Sequence, residues 1–133
     1  MNLARSYGIG PLRGVQTTAA LDRLVASERM AVVLHELAHL YYGHPAKRLK
    51  WALTLRVLWD FERVRQACIQ QEFEADSFVK EYGHGQALAR FLIRNPSDGG
   101  AWHPSNQERL YRLAGVTRAT DQPTERAKEQ SNG

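Results

Sequence analysis

Residues His35-Glu36-Leu37-Ala38-His39 form the stretch from which the rest of the chain can be interpreted. On a helix, two histidines four residues apart lie about 40° from each other and one turn apart along the axis. Both rings can therefore bind one metal ion, as they do in zinc sites with Zn–N distances of about 2.0–2.1 Å. Glu36 lies about 100° round the helix from His35, beside such an ion. A carboxylate placed there can accept a proton from metal-activated water.

The pattern is H-E-x-x-H, which is typical of zinc metalloproteases but also occurs by chance because few of its positions are specified. Its flanks are apolar, and they predict a largely buried helix over residues 28–42. A buried helix rarely carries two histidines and a glutamate unless these side chains are paired or bind a metal. The flanks therefore favour a metal site over a chance match. The apolar flanking residues are Met30, Val33, Leu34, Leu37, Leu40 and Tyr41.

Length and composition predict one domain of modest size. The chain has 133 residues, of which 43% are hydrophobic and 24% charged, as is ordinary for a soluble globular protein. We expect residues 1–116 to form a single domain and the polar, non-periodic residues 117–133 to form a mobile tail. The net charge is +4 at pH 7. The densest basic cluster, Lys47, Arg48 and Lys50, is typical of a solvated helix start, so no nucleic-acid partner is expected.

The single cysteine, Cys68, excludes an internal disulfide. It lies on an apolar stripe, which predicts a small core residue and a reducing, cytoplasmic environment. Residues 1–14 lack the apolar segment of a signal peptide. The longest apolar-rich run, from Trp51 to Trp59, is interrupted by Arg56 and falls well short of the ~20 residues that a membrane-spanning helix needs. No membrane span is therefore expected.

The segment ahead of the motif predicts two short elements. The β-prone residues 14–18 predict one strand. Thr18 is then expected to cap a short helix over Ala19–Ala26, and Ser27 to cap the motif helix. Gly43, which is followed closely by a proline, is expected to end the motif helix.

The sequence that follows the motif predicts further helices. A long helical pattern runs from about Ala46 to Tyr82, with one break near Asp60. A shorter amphipathic helix is expected over Gln86–Arg94, and a last one over Ser105–Leu113, where S-x-x-E has the form of a capping box. Together these patterns predict a mainly α (α+β) fold. It would contain an active-site helix, a long second helix, two shorter C-terminal helices and a short N-terminal β-strand or ribbon.

A catalytic zinc site has three protein ligands and an open position for water, so a third ligand is needed. Metzincins would require glycine at position 42 and histidine at position 45, where this chain has Tyr42 and Pro45, so that class is excluded. His44 lies beyond the predicted helix end and is more consistent with a structural role. The candidates are His44, Glu72, Glu74, Asp76, His84 and His103.

Glu72 is the favoured third ligand because it lies on the apolar stripe of the long helix. Asp76 lies one turn further on nearly the same face, where it could accept the second N–H of a ligating histidine. Glu74 lies about 160° from the stripe and is expected to be solvated. The alternative is that Glu72 and Asp76 form buried salt bridges to arginine or lysine. The stripe consists of Phe61, Val64, Cys68, Glu72, Ala75, Val79 and Tyr82.

Taken together, these segments resemble the M48 metallopeptidases. The motifs of that family are H-E-x-x-H-x-x-x-G-H, E-x-E-A-D and H-P-S-x-x-x-R-[IL]. They occur here in family order, within His35–His44, Glu72–Asp76 and His103–Leu110. The strand-like residues 15–18, followed by Leu21, also resemble the segment ahead of the family's zinc helix. The resemblance covers roughly residues 14–114, and it is the joint match that is specific.

The resemblance implies a gluzincin with a compact, zincin-like helical domain and one Zn2+ per chain. By position, His35, His39 and Glu72 would be the zinc ligands and Glu36 the general base. The implied activity is that of a zinc metalloendopeptidase acting on a peptide or protein substrate. Many M48 members are integral membrane proteases, whereas this chain, with no predicted span, is similar to the small soluble members called minigluzincins.

The resemblance also assigns roles around the ligands. Asp76 would contact a zinc ligand without binding the metal, and His103 would stabilise the developing oxyanion. Arg109 would help to position the His103 loop and the site. The N-terminal strand would pair with an extended substrate backbone by β-augmentation. Its substrate-binding residues would be Val15, Gln16 and Thr17.

Two other functions remain open at this stage. The repressor-cleaving ImmA/IrrE-type metallopeptidases share H-E-L-x-H and E-x-E-A-D/N-x-F, and Phe78 fits that pattern. Against it stand His103-Pro104-Ser105 and Arg109. The other alternative is a latent or inactive zinc-binding protein that acts through contacts. Its cleft would be occupied by residues 117–133 or by a second copy in a homodimer.

Overall fold

The fold is mainly α, as predicted, with an N-terminal ribbon and two short C-terminal helices. The computed structural model describes residues 4–7, 14–17 and 19–115, so Thr18 and the predicted tail over residues 117–133 lie outside the described residues. The described residues form β1 (Ala4–Tyr7), β2 (Gly14–Thr17), a 3-10 helix (Ala19–Arg23), α1 (Ala26–Tyr41), α2 (His44–Leu53), α3 (Arg56–Trp59), α4 (Phe61–Glu81), α5 (Gly85–Arg94) and α6 (Asn106–Leu113).

The N-terminal ribbon consists of β1 and β2, which pair antiparallel with Ala4 opposite Thr17. The sequence predicts β2 but not β1, because Ala4–Tyr7 contains no β-branched residue and shows no clear period. The ribbon packs on α1, where Ala4 contacts a small buried cluster formed by Leu21 and Val32.

The start of α1 differs from the predicted one. Ser27 lies inside the first turn, and Val25 occupies the N-cap position without a side-chain cap hydrogen bond. Glu28 stabilises this end instead, because it is buried in the first turn, where the helix dipole favours a carboxylate, and pairs with Arg94 of α5. The prediction of Ser27 as the cap was therefore wrong, since a long-range ion pair replaces the local cap. The preceding 3-10 helix ends at Arg23, earlier than predicted.

The predicted long helix over residues 46–82 consists of three helices. One break lies at Asp60, as the pattern indicated, and the other lies at Thr54 and Leu55. The hydroxyl of Thr54 donates to the carbonyl oxygen of Lys50 at 2.9 Å, and Leu55 has a left-handed φ of 53°. Both features end α2, because the side chain competes for the backbone acceptor and a left-handed residue cannot continue the helix. No helix in the described ranges is long and apolar enough to cross a bilayer.

The core lies between α1, α4 and α5, with α6 packed against its edge. Three alanines of α1 and α4 are completely buried: Ala31, Ala38 and Ala75. Alanine allows helices to pack closely, so the polar side chains between α1 and α4 come into direct contact. The main cluster comprises Ala31, Val79, Ala87, Leu88 and Leu92, with Leu34, Phe91, Leu110 and Leu113 at its edge.

Only one side of α1 is buried, so the helix is less buried than its flanks predicted. Met30, Leu37 and Tyr41 are exposed to solvent. The buried side carries both histidines of the motif together with the alanines of the core. Cys68 of α4 is buried, as predicted.

Candidate metal centre

Two helices bring three donor atoms together. His35 Nε2 lies 3.1 Å from His39 Nε2 and 3.2 Å from Glu72 Oε2, and His39 Nε2 lies 3.5 Å from Glu72 Oε1. All three residues are buried. A tetrahedral ion with bonds of about 2.0–2.1 Å holds its ligand atoms about 3.3–3.4 Å apart. The group could therefore hold a metal ion with little rearrangement.

Asp76 of α4 contacts the ring nitrogen of His35 that does not belong to the donor group. Asp76 Oδ1 lies 2.9 Å from His35 Nδ1, and Asp76 accepts two hydrogen bonds of 2.7 Å from Nε and Nη2 of Arg109 on α6. The contact with His35 is out of line for a well-formed hydrogen bond, so it is mainly electrostatic. A carboxylate at this distance keeps a proton on Nδ1 and leaves the Nε2 lone pair for a metal.

His39 is supported in the same way by a chain of two residues. His39 Nδ1 lies 2.8 Å from His44 Nδ1, and His44 Nε2 lies 3.0 Å from Glu74 Oε2. Burial and nearby positive groups lower the pKa of His44 to about 3, so this ring is neutral. If its one N–H donates to the Glu74 carboxylate, its Nδ1 accepts the proton of His39 Nδ1. The Nε2 lone pair of His39 then faces the other donor atoms.

In these tautomers, a cation is needed between the two rings. With both Nδ1 atoms protonated, two Nε2 lone pairs and the Glu72 carboxylate converge within hydrogen-bonding distance, and only a proton or a metal ion makes such a contact favourable. Burial alone would lower the pKa of His35, but the contacts with the Asp76 and Glu72 carboxylates outweigh it and raise the pKa to about 9. A proton can therefore occupy the site, and a metal ion that binds there displaces it.

The pKa values of the Glu72 and Asp76 carboxyl groups are lowered, whereas that of His35 is raised. Burial alone would raise the pKa of Glu72, but the contacts with His103, His35 and His39 hold it well below its usual range. Burial would likewise raise the pKa of Asp76, yet the hydrogen bonds from Arg109 and the contact with His35 lower it. Both carboxylates are therefore charged at neutral pH, which favours a cation at the donor group.

Arg48 and Gln71 belong to the site although the sequence does not predict them there. Arg48 Nη2 donates to Glu72 Oε1 at 3.0 Å, and Arg48 Nε donates to Gln71 Oε1 at 2.7 Å. The interpretation of Arg48 as solvated was wrong, because the inner side of α2 covers Glu72. Glu74 was also expected to be solvated, but its half-exposed carboxylate contacts His44.

The salt-bridge alternative for the two carboxylates is present as well. Glu72 pairs with Arg48, and Asp76 pairs with Arg109. These pairs do not account for the two imidazoles, however, because a carboxylate already paired with arginine needs no histidine beside it. A metal site explains the arginines and the histidines together, since charged ligands and their supports are commonly hydrogen-bonded in turn.

Two further groups border the donor atoms. His103, in the loop between α5 and α6, places Nδ1 3.5 Å from Glu72 Oε1 while most of its side chain is exposed. Glu36 follows His35 on α1, is half-buried, and lies within electrostatic reach of Arg109. His84, another candidate ligand, lies at the N-cap of α5 and is not part of the donor group.

The His103 loop is folded tightly onto the start of α6. The predicted capping box is confirmed, with Ser105 and Glu108 bonded reciprocally. The backbone N–H of Gly100 donates to the carbonyl oxygen of His103 at 2.9 Å. Gly99 has a φ of 80°, and a Cβ there would lie 2.6–2.7 Å from backbone atoms of residues 103–105. Only glycine therefore fits at position 99 without moving this loop.

Gly99→Ala is expected to displace the His103 loop and to lower the free energy of unfolding by about 2 kcal/mol or more, because strain and clash add. Gly100→Ala is the matched control, since a Cβ there would meet nothing within 4 Å. Its effect should stay within about 0.5 kcal/mol. Urea unfolding of both variants measures the difference. Equal stability of the two variants would contradict the role of Gly99.

Comparison with known proteins adds no relative to this picture. A scan against protein-family models gives no match, and neither curated proteins nor solved structures match the chain. The functional assignment therefore depends on the donor group and on the residues that surround it.

Proposed function

We propose that the protein is a zinc-dependent metalloendopeptidase whose active site lies between α1 and α4. The observation that carries this proposal is the convergence of three buried groups: His35 Nε2 and His39 Nε2 lie 3.1 Å apart, and the two oxygens of Glu72 lie 3.2 Å from the first and 3.5 Å from the second. Two histidines and one glutamate form a ligand set of catalytic zinc sites, in which a fourth position stays open. Magnesium and calcium prefer oxygen ligands, so the two imidazoles favour zinc.

The surrounding residues are suited to peptide hydrolysis. Zinc, when bound, supplies a Lewis acid and lowers the pKa of the attacking water. Glu36 accepts the proton of that water and delivers it to the leaving amine. His103, at the exposed margin of the site, donates a hydrogen bond to the developing oxyanion. Asp76 and His44 keep the two ligating rings in the required tautomer.

The described residues offer two candidate surfaces for a substrate. A cavity of about 980 Å³ is lined by His103, which approaches Glu72, and by Glu74, Phe73 and Tyr42. The three donor residues do not line it, so it suits side chains that flank the reacting bond. The ribbon offers an unpaired edge within the described strands, to which an extended peptide could add. This role is proposed for the backbone of Val15, Gln16 and Thr17.

Two contacts favour an M48-like enzyme over a repressor-cleaving one. His103 approaches Glu72, and Arg109 makes a bidentate pair with Asp76. Neither residue belongs to the repressor-cleaving pattern. Self-inhibition by residues 117–133 stays a prediction, since those residues lie outside the described ranges.

His39→Ala is expected to abolish stoichiometric zinc binding, because it removes one of three ligands. Elemental analysis should find about one zinc per chain in the unaltered protein and well under that in the variant. His84→Ala, which removes a histidine outside the donor group, is the control and should keep its zinc. Full zinc content in the His39 variant would overturn the assigned site.

The same preparations test the activity. Wild-type protein should cleave internal bonds of an unfolded protein such as reduced casein, and the cleavage should stop on chelation and return with added zinc. Mass spectrometry of the products identifies internal cleavage. Cleavage that is equal in His39→Ala and wild type would assign the activity to a contaminant or to another site.

A further inference from the structure

The positive charge of the chain is concentrated in the segment formed by α2 and α3, residues 44–59. This segment contains Lys47, Arg48, Lys50 and Arg56 and no acidic residue. The whole chain has 18 basic and 14 acidic side chains, so the rest of the chain carries 14 of each and is neutral. The net charge of +4 therefore equals the charge of these 16 residues. Arg48 pairs with Glu72 and Arg56 with Asp60, so the exposed cations that the segment offers to a partner are Lys47 and Lys50.

The same segment contains three of the most exposed large hydrophobic side chains of the described residues. Leu53 is 74% exposed, Leu58 78% and Trp59 72%. Leu49 and Leu55 are also exposed. Isolated exposed apolar residues are common on protein surfaces, but five within eleven positions of one segment, an apolar patch in the sequence, are typical of a binding surface.

The polarity of α2 is the reverse of that of an ordinary surface helix. His44 and Arg48 lie on its inner side, where they contact His39 and Glu72. Leu49 and Leu53 lie one turn apart on the outer side, about 140–180° round the helix from His44. A surface helix normally turns its apolar side to the core. The outer side of α2 is therefore built to contact something other than water.

We infer that the α2–α3 segment docks on the surface of an anionic lipid bilayer. Leucine and tryptophan enter the boundary between headgroups and acyl chains, while the exposed Lys47 and Lys50 bind anionic headgroups. The leucines and lysines of the segment favour a bilayer over a protein partner, since protein interfaces are depleted of lysine and their strongest contacts seldom come from leucine, while tryptophan suits either partner. This inference stands independently of the proposed peptidase activity.

Two other occupants fit less well. A second copy of the chain, paired symmetrically through this surface, would bring Lys47 and Lys50 of one copy close to those of the other, with no acidic residue of the segment to pair with them. The C-terminal residues 117–133 contain no large apolar side chain with which to cover leucine and tryptophan. An anionic bilayer satisfies both the charge and the apolar surface.

Vesicle flotation of the full chain tests the inference. Wild-type protein should float with vesicles of phosphatidylcholine in which about a third of the lipid is phosphatidylserine, and bind pure phosphatidylcholine at least tenfold less tightly. High salt should weaken the binding because it screens the charges. Leu58→Ser/Trp59→Ser and Lys47→Gln/Lys50→Gln should each reduce binding about tenfold or more. Arg48 is left unchanged because it contacts Glu72.

Matched control variants show whether the loss of binding is specific to the α2–α3 segment or follows from any loss of exposed apolar or basic side chains. Met30→Ser/Ile93→Ser removes two exposed apolar residues elsewhere, and Arg23→Gln/Arg90→Gln removes the same charge from other elements. Both controls should bind like the wild type. Equal binding to the two kinds of vesicle, or unchanged binding by the patch variants, would overturn the inference.

Light scattering without lipid measures the mass of the protein in solution and so tests whether a second copy covers the α2–α3 segment. A monomer is expected, and its mass should not change in Leu58→Ser/Trp59→Ser. A wild-type dimer that dissociates in this variant would assign the α2–α3 segment to a second copy and would equally overturn the bilayer as its partner.

Discussion

Glu36→Gln is expected to lower the rate of peptide hydrolysis by roughly 10²–10⁴-fold, because a glutamine amide cannot accept the proton of the attacking water. Glu36 lies next to His35 on α1 but about 100° round the helix, and it is not part of the donor group. The substitution keeps the size and most of the polarity of the side chain. The three ligands and the residues behind them are unchanged.

The test compares turnover with zinc content in the same preparation. Glu36→Gln should retain about one zinc per chain and the melting temperature of the wild type within a few degrees. Glu81→Gln, which removes an exposed carboxylate at the end of α4, is the matched control and should retain full activity. Wild-type turnover by Glu36→Gln would exclude Glu36 as the general base. Loss of zinc from the variant would show instead that the carboxylate holds the site together.

Helical periodicity is the reason that the donor group could be anticipated from the sequence. The spacing of His35 and His39 requires only one helix, and the position of Glu72 on an apolar stripe requires only that its helix packs inward. Both conditions depend on local sequence. The contact between the two helices then follows, because the small buried residues Ala38 and Ala75 allow close packing there.

Contacts between charged residues of different elements could not be anticipated in this way. Arg48 and Glu74 each lie on a side of a helix that periodicity assigns to solvent, yet Arg48 contacts Glu72 and Glu74 contacts His44. Their partners depend on how α2 lies against α4. That placement depends in turn on the breaks at Leu55 and at Asp60, of which only the second was predicted. A local pattern carries no information on such long-range pairs.

The pair of Asp76 and Arg109 links the metal centre to the stability of the fold. Both side chains are largely buried, and two hydrogen bonds of 2.7 Å join them. Breaking such a pair by removing one partner leaves a buried charge without compensation, which typically costs about 3–5 kcal/mol. Removing both partners is less harmful, because no unpaired charge is left behind.

Arg109→Met is therefore expected to lower the free energy of unfolding by about 3–5 kcal/mol, since it leaves Asp76 charged and buried beside His35. Zinc affinity should fall by about 10–100-fold, because His35 loses the support that orients it. Urea unfolding of zinc-free protein and competition with a chelator measure the two effects separately.

Arg65→Met, which breaks the exposed pair with Glu62, should change neither quantity appreciably. Asp76→Asn/Arg109→Met should be more stable than Arg109→Met, since it removes the unpaired charge. An Arg109→Met protein that unfolds at the urea concentration of the wild type would show that Asp76 is stabilised by His35 alone.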